Sequence, residues 1–423
     1  TMAIDIETSM NMQKLFSISI GIDDYTKVLI VSKKKLKNAE IFDNEKDMLI
    51  EFKNIIIKQD PDIITGWNVI DFDFKILKQK FDEHGISFVL GRNDQPSRVM
   101  VFDSFLKDSK AYVQGRMILD GIHLLKTSFI TLTDYKLDTA ATEILGKKKL
   151  DVFDNDNKGE EIERLFRDEP QKLVDYNLVD STLVLDILNE KKLIELTIQR
   201  SLLTGMALDR VRASIASLDN LYIRHANQLG YVCNSLRFNQ RGERITGGYV
   251  RDSIPGIYDH IDVLDFKSLY PSIMRTFNID PLSYIPKELH DKYKKKDYIE
   301  SPNGAKFKRD YGILPQILEK LWIQRDDAKK RRNNEESFAV KITMNSFFGV
   351  LANPNCRFYS LDMANAITHW ARFVIKTTAD IATKKGYRVI YGDTDSIFIE
   401  TKANDENESI KIGEATAQYV NEY

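Results

Sequence analysis

Cysteine and histidine are scarce in this sequence. Its 423 residues include only two cysteines, Cys233 and Cys356, and six histidines. The two cysteines lie far apart, and neither they nor the scattered histidines show the spacing of zinc ligands, so the sequence offers no zinc site. So few cysteines in a long chain favour a reducing compartment.

Long apolar runs and an excess of one charge are missing too. No stretch of about 18 apolar residues occurs, so we expect no membrane partner. Lysine and arginine total 61, aspartate and glutamate total 63, and the net charge is −2. This balance neither indicates nor excludes a nucleic-acid partner, because acidic metal sites can offset basic grooves elsewhere. The distribution of charge is therefore more informative than its total.

What the chain does have is length and apolar content. Hydrophobic residues make up 43% and charged residues 29%, which is enough to bury a large core divided among several domains. Residues 1–205 alternate short apolar runs with helical patterns, as is typical of an α/β layer. The chain begins inside a predicted strand that already carries Asp5, so we expect a fragment of a longer protein.

Two carboxylates stand at the crest of a predicted hairpin near the end of the chain. Asp393 and Asp395 belong to the stretch Tyr391–Ser396, and the runs on both sides of it are rich in β-branched and aromatic residues. Paired negative charge is unfavourable at such a crest unless a cation binds there. An ordinary solvated, aspartate-rich turn is the alternative interpretation of this stretch alone.

Two further stretches of the sequence help to interpret that turn. In Val263–Ile273 a predicted strand ends at Asp265, and a tight turn leads into an apolar helix. The stretch Lys341–Gly349 is helical in pattern, with a polar stripe opposite an apolar one. With the hairpin, and in this order and spacing, the three stretches resemble motifs A, B and C of the B-family DNA polymerases.

The resemblance implies roles for the motif A and motif C residues. Asp265 and Asp395 would be catalytic and bridge two Mg²⁺ ions, with Mn²⁺ as the alternative, and the Phe266 carbonyl would complete the coordination. Asp393 would also be catalytic, with less direct metal contact. Two ions suit the chemistry, because one activates the primer 3′-hydroxyl and the other neutralises the triphosphate. Tyr270 resembles the family's steric gate against ribose, an assignment that is compatible with its being a core aromatic.

Two helices are predicted around motif B, over Leu314–Arg332 and Ser337–Val350. A basic helix face is usually only solvated. Two antiparallel helices with converging cations would instead suit a triphosphate. The residues predicted to contact the nucleotide are Arg325, Lys329, Lys341 and Asn345. Motif B ends in Phe348-Gly349 where the family usually has Tyr-Gly, so we expect weaker mismatch sensing but unimpaired catalysis.

The Gly247-Gly248-Tyr249 segment is predicted to bind DNA. A Gly-Gly segment at this place in the family lies between the exonuclease and polymerase sites and touches the template backbone. Glycine lets main-chain amides approach phosphates closely, so the role is physically sensible. A plain hairpin turn is the alternative interpretation.

Acidic residues in the first 205 positions form a second set. Asp5 and Glu7 alternate with apolar residues on a predicted strand, so both point to one face. Asp73 ends the stretch Gly66–Asp73, and Asp180 follows Tyr176 by four residues on a predicted helix, which puts those two side chains on one face. Each position alone is weak evidence for a functional site, since acidic residues usually lie on solvated surfaces.

In this order the acidic residues resemble the three exonuclease motifs of the family's proofreading domain. There four carboxylates hold two divalent cations and a tyrosine helps to orient the attacking water; the matching residues are Asp5, Glu7, Asp73, Asp180 and Tyr176. Carboxylate oxygens are the ligands that Mg²⁺ prefers. The motif's Phe-Asp pair falls on Phe72-Asp73, so Asp71 is interpreted as a solvated turn residue and Asp120 as structural.

The resemblance covers essentially the whole chain and implies an α/β and α+β multidomain fold. A ribonuclease H-like 3′-5′ exonuclease domain would span 1–205. The palm, an antiparallel sheet with helices, would span 206–312 and 351–423, with two-helix fingers over 313–350. The family's N-terminal domain and thumb are not recognised. The charged segment 281–312 is interpreted as a surface excursion without assigned chemistry.

The implied activity is DNA-templated DNA synthesis, adding dNTPs to a primer 3′ end, with 3′-5′ proofreading. Primer–template DNA and dNTPs would be the partners, a sliding clamp would be a further one, and the location would be cytoplasmic and nucleoid-associated. Two alternatives remain at this point: a fragment with only exonuclease activity, and a silent scaffold that binds DNA or a clamp. Intact carboxylates in both sites argue against the silent scaffold.

Overall fold

The computed structural model describes residues 1–23, 25–102, 109–147, 157–211, 213–236 and 245–423. The chain divides into two compact units, Thr1–Ile198 and Gln199–Tyr423. The division falls seven residues before the predicted boundary after residue 205, within a helix that runs over Leu193–Thr204. No helix in the described residues is both long and apolar enough to cross a membrane.

The first unit is built on a mixed sheet whose strand order is β4–β3–β2–β1–β5–β8. Its strands are β1 (Met2–Thr8), β2 (Leu15–Ile22), β3 (Tyr25–Val31), β4 (Ala39–Phe42), β5 (Ile63–Gly66) and β8 (Met117–Asp120), while β6 (Arg98–Met100) and β7 (Lys110–Tyr112) form a separate pair. β2 runs antiparallel to both β1 and β3, β4 pairs in parallel with β3, and β5 and β8 continue the sheet in parallel with β1. β1 is buried along most of its length, although Asp5 and Glu7 alternate with its apolar residues.

The helices of this part of the chain are α1 (Glu45–Gln59), α2 (Lys75–Glu83), α3 (Gly121–Thr127), α4 (Leu137–Leu145), α5 (Lys158–Asp168) and α6 (Pro170–Glu190). The next helix, α7 (Leu193–Thr204), crosses the division between the two units. α6 starts with Pro170, whose missing N–H costs nothing in a first turn, and it packs against β1 and β2. Asp120 caps α3 by accepting from the amides of Ile122 and His123, which agrees with its predicted structural role.

The second unit contains an antiparallel sheet with the order β10–β15–β14–β9. In chain order its elements are α8 (Ser214–Gln228), β9 (Val250–Arg251), β10 (Ile261–Asp265), α9 (Leu269–Thr276), β11 (Tyr284–Ile285), β12 (Tyr298–Glu300), β13 (Lys306–Lys308), α10 (Ile313–Lys330), α11 (Asn334–Leu351), α12 (Leu361–Lys384), β14 (Arg388–Asp393), β15 (Ser396–Glu400) and α13 (Glu406–Glu422). α12 packs on β14 and β15, and Ile397 and Ile399 are buried in the same core as this helix.

The segment 281–312 is more than a surface excursion. It folds into a small sheet of order β11–β13–β12, and Phe307 in β13 is fully buried in the main core of the unit. Its lysines stay on the outside, which explains why the sequence alone indicated only a charged surface. Asn278, just before the segment, fixes the end of the segment. Its amide donates hydrogen bonds to the carbonyls of Lys308 and Asp310 over 2.6 and 2.7 Å.

Asp280 fixes the first turn of α10. Its buried carboxylate accepts hydrogen bonds from the Leu314 amide at 2.8 Å, the Leu282 amide at 2.7 Å and the Tyr222 hydroxyl at 3.0 Å. Burial raises the pKa of Asp280, and these donors oppose the rise. The carboxylate therefore satisfies backbone amides that the start of a helix leaves unpaired. Neither Asn278 nor Asp280 was singled out from the sequence.

We expect Asp280→Ala to lower the free energy of unfolding by roughly 3 kcal/mol or more, because several buried donors lose their acceptor at once. Tyr222→Phe, which removes one donor and leaves the amides paired, should cost about 1 kcal/mol. The exposed Asp291 provides a control, and Asp291→Ala should stay within about 0.5 kcal/mol of the parent. Urea unfolding followed by tryptophan fluorescence measures all three. Equal effects of Asp280→Ala and Asp291→Ala would contradict the anchoring role.

Candidate active sites

The hairpin of β14 and β15 brings the motif A and motif C aspartates together. β10 pairs with β15 in a register that sets Asp265 opposite Ser396. The Phe266 amide then donates to the carbonyl oxygen of Asp395 at 2.9 Å, just beyond the end of that pairing. Asp265 and Asp395 thus lie at the same end of the sheet, although they are far apart in the sequence.

The turn between β14 and β15 is held tightly. Thr394 adopts a left-handed conformation with φ of 52°, and its hydroxyl donates to Asp393 Oδ1 at 2.8 Å. The Tyr391 hydroxyl reaches Asp393 Oδ2 at 3.5 Å. Both carboxylate oxygens of Asp393 therefore have local donors, which is consistent with the lesser metal role that we predicted for this residue.

Asp395 is electrostatically strained. Partial burial raises its pKa, and the negative charge of Asp265 raises it further, while the positive charge of Lys341 on α11 lowers it. Asp395 thus experiences the negative charge of Asp265 and the opposing positive charge of Lys341. This arrangement favours a cation between the carboxylates, since added positive charge relieves their repulsion.

The remaining predicted nucleotide contacts lie on α10 and α11. Arg325 donates from Nη1 to the Ser268 hydroxyl at 3.2 Å, at the turn that follows motif A. Lys329, Lys341 and Asn345 are exposed, as a role toward a ligand requires. The sequence correctly predicted the polar stripe of α11, because Val340, Met344 and Phe347 are buried on its opposite side.

Tyr270 packs against the unusual phenylalanine of motif B. The ring centroids of Tyr270 and Phe348 are 4.5 Å apart, with the planes tilted by 53°. Burial raises the pKa of the Tyr270 hydroxyl, and the nearby Asp395 carboxylate raises it further. Tyr270 is therefore neutral, half-buried and held in place by Phe348, so it combines the packing role with proximity to the carboxylates.

The Gly247–Tyr249 segment lies directly on the motif C turn. The Tyr249 carbonyl accepts a hydrogen bond from the Thr394 amide at 2.9 Å. β9 then pairs with β14, with Val250 opposite Asp393. The segment thus leads directly into the edge strand of the antiparallel sheet and is not an isolated hairpin turn.

A second acidic cluster lies within the first unit. One carboxylate oxygen from each of Asp5, Glu7 and Asp180 lies within 4.8 Å of the other two. β1 supplies Asp5 and Glu7, and α6 supplies Asp180 across the sheet face on which it packs. Glu7 and Asp180 are buried and Asp5 is half-buried. Three carboxylates in so small a volume form a hard oxygen donor set that can hold a metal ion.

Asp73 lies beside this cluster without belonging to the triad. It is buried, and its Oδ1 accepts a hydrogen bond from the Ile6 amide of β1 at 3.0 Å. Burial raises the pKa of Asp73 well above its usual range, and the Asp5 carboxylate raises it further. Asp71 is half-buried and lies in the same single turn of π-helix, Ile70–Phe74, so it is less solvated than we predicted.

Tyr176 and Asn177 border the triad on α6. Burial raises the pKa of the Tyr176 hydroxyl, with further contributions from Asp180, Glu7 and Asp5, so this phenol stays protonated and can donate a hydrogen bond. Asn177 Nδ2 donates to Asp5 Oδ2 at 2.6 Å, and the Ser17 hydroxyl donates to Asn177 Oδ1 at 2.8 Å. Asn177 was missed because a buried amide has no sequence signature of its own.

Comparison with known proteins shows which family the chain resembles. Residues 206–423 match DNA polymerase family B, and residues 2–140 match the DNA polymerase family B exonuclease domain. The chain is 38% identical to DNA polymerase II of Escherichia coli (strain K12) over 373 residues, which are 86% of this chain and 46% of that protein.

More distant relatives extend over much of the chain. A DNA polymerase of Thermococcus gorgonarius is 28% identical over 455 aligned residues, covering 99% of this chain and 56% of that protein. The DNA polymerase delta catalytic subunit of Schizosaccharomyces pombe (strain 972 / ATCC 24843) is 29% identical over 422 residues, 90% of this chain and 38% of that protein. The chain therefore spans about half the length, or less, of these curated relatives. The predicted resemblance is confirmed: with a polymerase match over more than half of its residues, the chain belongs to DNA polymerase family B.

Proposed function

We propose that this chain carries the polymerase and 3′-5′ exonuclease sites of a DNA-templated DNA polymerase. The observation that carries the proposal is the pairing of β10 with β15, which brings Asp265 beside Asp395. The positive charge of Lys341 acts on the Asp395 carboxylate from α11. Paired carboxylates beside cationic helices are the arrangement that phosphoryl transfer requires. The substrates would be primer–template DNA and dNTPs.

In the polymerase site each side chain has a distinct task. Asp265, Asp395 and the Phe266 carbonyl would hold two divalent ions, Mg²⁺ in the first place with Mn²⁺ as the alternative. When bound, these ions would supply charge neutralisation and a lowered pKa of the primer 3′-hydroxyl. Arg325, Lys329 and Lys341 would bind the triphosphate, and Asn345 would line the nascent base pair. Tyr270, supported by Phe348, would occupy the space below the sugar.

The acidic cluster of the first unit would remove mispaired 3′ ends. Asp5, Glu7 and Asp180 would hold the metal, with Asp73 completing the set from its buried position against β1. Tyr176 would donate a hydrogen bond that orients the attacking water. The order β4–β3–β2–β1–β5–β8, an antiparallel meander continued by parallel strands, supports a ribonuclease H-like assignment for this domain.

The finer organisation of the second unit follows the same proposal. The antiparallel sheet with α9 and α12 would be the palm, and α10 with α11, which pack against each other, would be the two-helix fingers. Gly247–Tyr249 would touch the template backbone. A sliding clamp is a further proposed partner, and the nucleoid is the proposed location.

A primer-extension gel tests the proposal most directly. The full-length protein that contains this chain is mixed with labelled primer–template and Mg²⁺, with and without dNTPs. Template-directed extension with dNTPs and shortening of the primer without them are expected. Shortening without extension would leave only the exonuclease function. The absence of both reactions would contradict both assignments.

We expect Asp265→Asn and Asp395→Asn each to lower nucleotide incorporation by roughly a thousandfold or more, since charge stabilisation supplies most of the rate in such sites. Single-nucleotide incorporation under quenched flow measures the loss. Asp259→Asn, an equal charge change at an exposed position just before β10, should leave incorporation within about twofold of the parent. Near-normal incorporation by either site variant would refute the assignment.

For the exonuclease site, Asp5→Ala combined with Glu7→Ala should abolish 3′-end removal and leave synthesis intact, because the two sites use separate carboxylates. Asp73→Asn keeps the acceptor for the Ile6 amide but removes the charge, so it isolates the electrostatic role. We expect it to slow excision of a mispaired end by about a hundredfold. Asp71→Asn is the matched control. If it slowed excision as much as Asp73→Asn, the assignment of the second motif would be displaced by two residues.

Sugar discrimination should depend on the Tyr270 ring. A ribose hydroxyl would overpack against it at a cost of about 1–3 kcal/mol, a roughly ten- to hundredfold preference for dCTP over CTP. Tyr270→Ala should erase most of this preference, whereas Tyr270→Phe, which keeps the ring and its contact with Phe348, should retain it. The incorporation efficiencies of dCTP and CTP, measured side by side for each variant, distinguish the two roles. If the ratio of the two efficiencies were unchanged in Tyr270→Ala, Tyr270 would have only a packing role.

A further inference from the structure

Arg372 on α12 makes an unusual contact with the Gly-Gly segment. Its Nε donates to the Gly247 carbonyl at 2.9 Å, and its Nη2 donates to the Gly248 carbonyl at 3.2 Å. A planar guanidinium can hold two successive carbonyls at once, which a single ammonium group does with poorer geometry. One side chain on a packed helix therefore fixes two consecutive peptide units of a loop.

Gly248 is in turn pressed against the motif C turn. A Cβ atom at this position would lie 2.7 Å from Thr394 Oγ1 and 3.2 Å from Thr394 Cγ2. The next residue, Tyr249, accepts the Thr394 amide hydrogen bond at 2.9 Å. The loop and the turn are therefore in contact through both backbone hydrogen bonding and close packing.

Thr394 is the residue between the two motif C aspartates. Its left-handed backbone and its hydroxyl bond to Asp393 give the turn its shape, and the Asp395 carbonyl receives the Phe266 amide on the other side. A continuous set of contacts thus runs from Arg372 through the Gly-Gly segment to Thr394 and then to the carboxylates. None of the sequence motifs includes Arg372.

We propose that Arg372 is a positioning residue for nucleotide addition: it holds Gly247 and Gly248 against Thr394 and so fixes the turn that carries Asp393 and Asp395. This inference rests on the proposed polymerase function. It also links two parts of that function, because the segment proposed to touch template phosphates is the one that holds the carboxylates in place. Small displacements of a reacting centre are expensive, so such a support matters for rate.

The first experiment measures the contact itself and needs no catalysis. Hydrogen–deuterium exchange of the full-length protein, read on peptides that cover β14, Thr394 and β15, reports the protection of the Thr394 amide. Arg372→Gln should speed exchange there by on the order of tenfold, since the loop that supplies its acceptor is released. Lys384→Gln, an equal charge change at an exposed position of the same helix, should leave it unchanged. Unchanged exchange in Arg372→Gln would overturn the proposal whether or not the protein extends primers.

The second experiment measures rate and affinity separately. In Arg372→Gln the maximal rate of single-nucleotide incorporation should fall by roughly ten- to a hundredfold, with the Kd for primer–template within about twofold of the parent. Gly248→Ala leaves Arg372 and all charges in place but pushes on Thr394, so it should reproduce the rate loss. The double variant should lose little more than either single one, because both act on the same contact.

Two outcomes would replace the positioning role. Arg372→Gln could instead bind DNA more weakly, with a salt dependence reduced by about one ion and an unchanged maximal rate. Arg372 would then be a phosphate contact. A lowered melting temperature with an unchanged rate per active molecule would make it a structural residue only. Failure of the parent protein to extend primers would contradict the proposed function, and the exchange experiment would still decide whether Arg372 holds the turn.

Discussion

The proposed polymerase site depends on the antiparallel pairing of β10 with β15. That pairing sets two like charges, Asp265 and Asp395, at one end of a sheet. Two unit charges about 5 Å apart repel by roughly 3 kcal/mol where water screens them only in part. Burial of Ile397 and Ile399 under α12 can offset this, since each fully buried isoleucine contributes about 1.5–3 kcal/mol. The packing of these apolar side chains thus keeps β10 and β15 in the register that brings the two carboxylates together.

The two acidic sites solve the same electrostatic problem in different surroundings. In the second unit the carboxylates stand at a turn, partly open to solvent, and the positive charge of Lys341 acts on Asp395. In the first unit they lie between β1 and α6, where Glu7, Asp73 and Asp180 are buried. Burial raises the pKa of Asp73 there, and repulsion from the Asp5 carboxylate raises it further. A divalent cation would relieve the strain in either place.

Polar residues that belong to no motif support both sites. Asn177 orients Asp5, Asp280 holds the first turn of α10, and Arg372 holds the Gly-Gly segment on the motif C turn. Each satisfies groups that would otherwise lack partners, and each acts on a residue or helix that carries chemistry. The shape of the sites is therefore determined as much by these contacts as by the motif residues.

The sequence by itself determined the family, the two sets of carboxylates, the hairpin of motif C and the polar stripe of α11. The hairpin and the polar stripe follow from local order and periodicity, whereas the family and the two sets of carboxylates follow from the resemblance of the motifs. Only the tertiary structure decided that Asp73 lies against the Ile6 amide outside the triad, that the charged segment 281–312 buries Phe307, and that Arg372 reaches Gly247. These depend on hydrogen bonds and packing between residues far apart in the chain, and a buried polar group finds its partner only when the backbone has brought the two together.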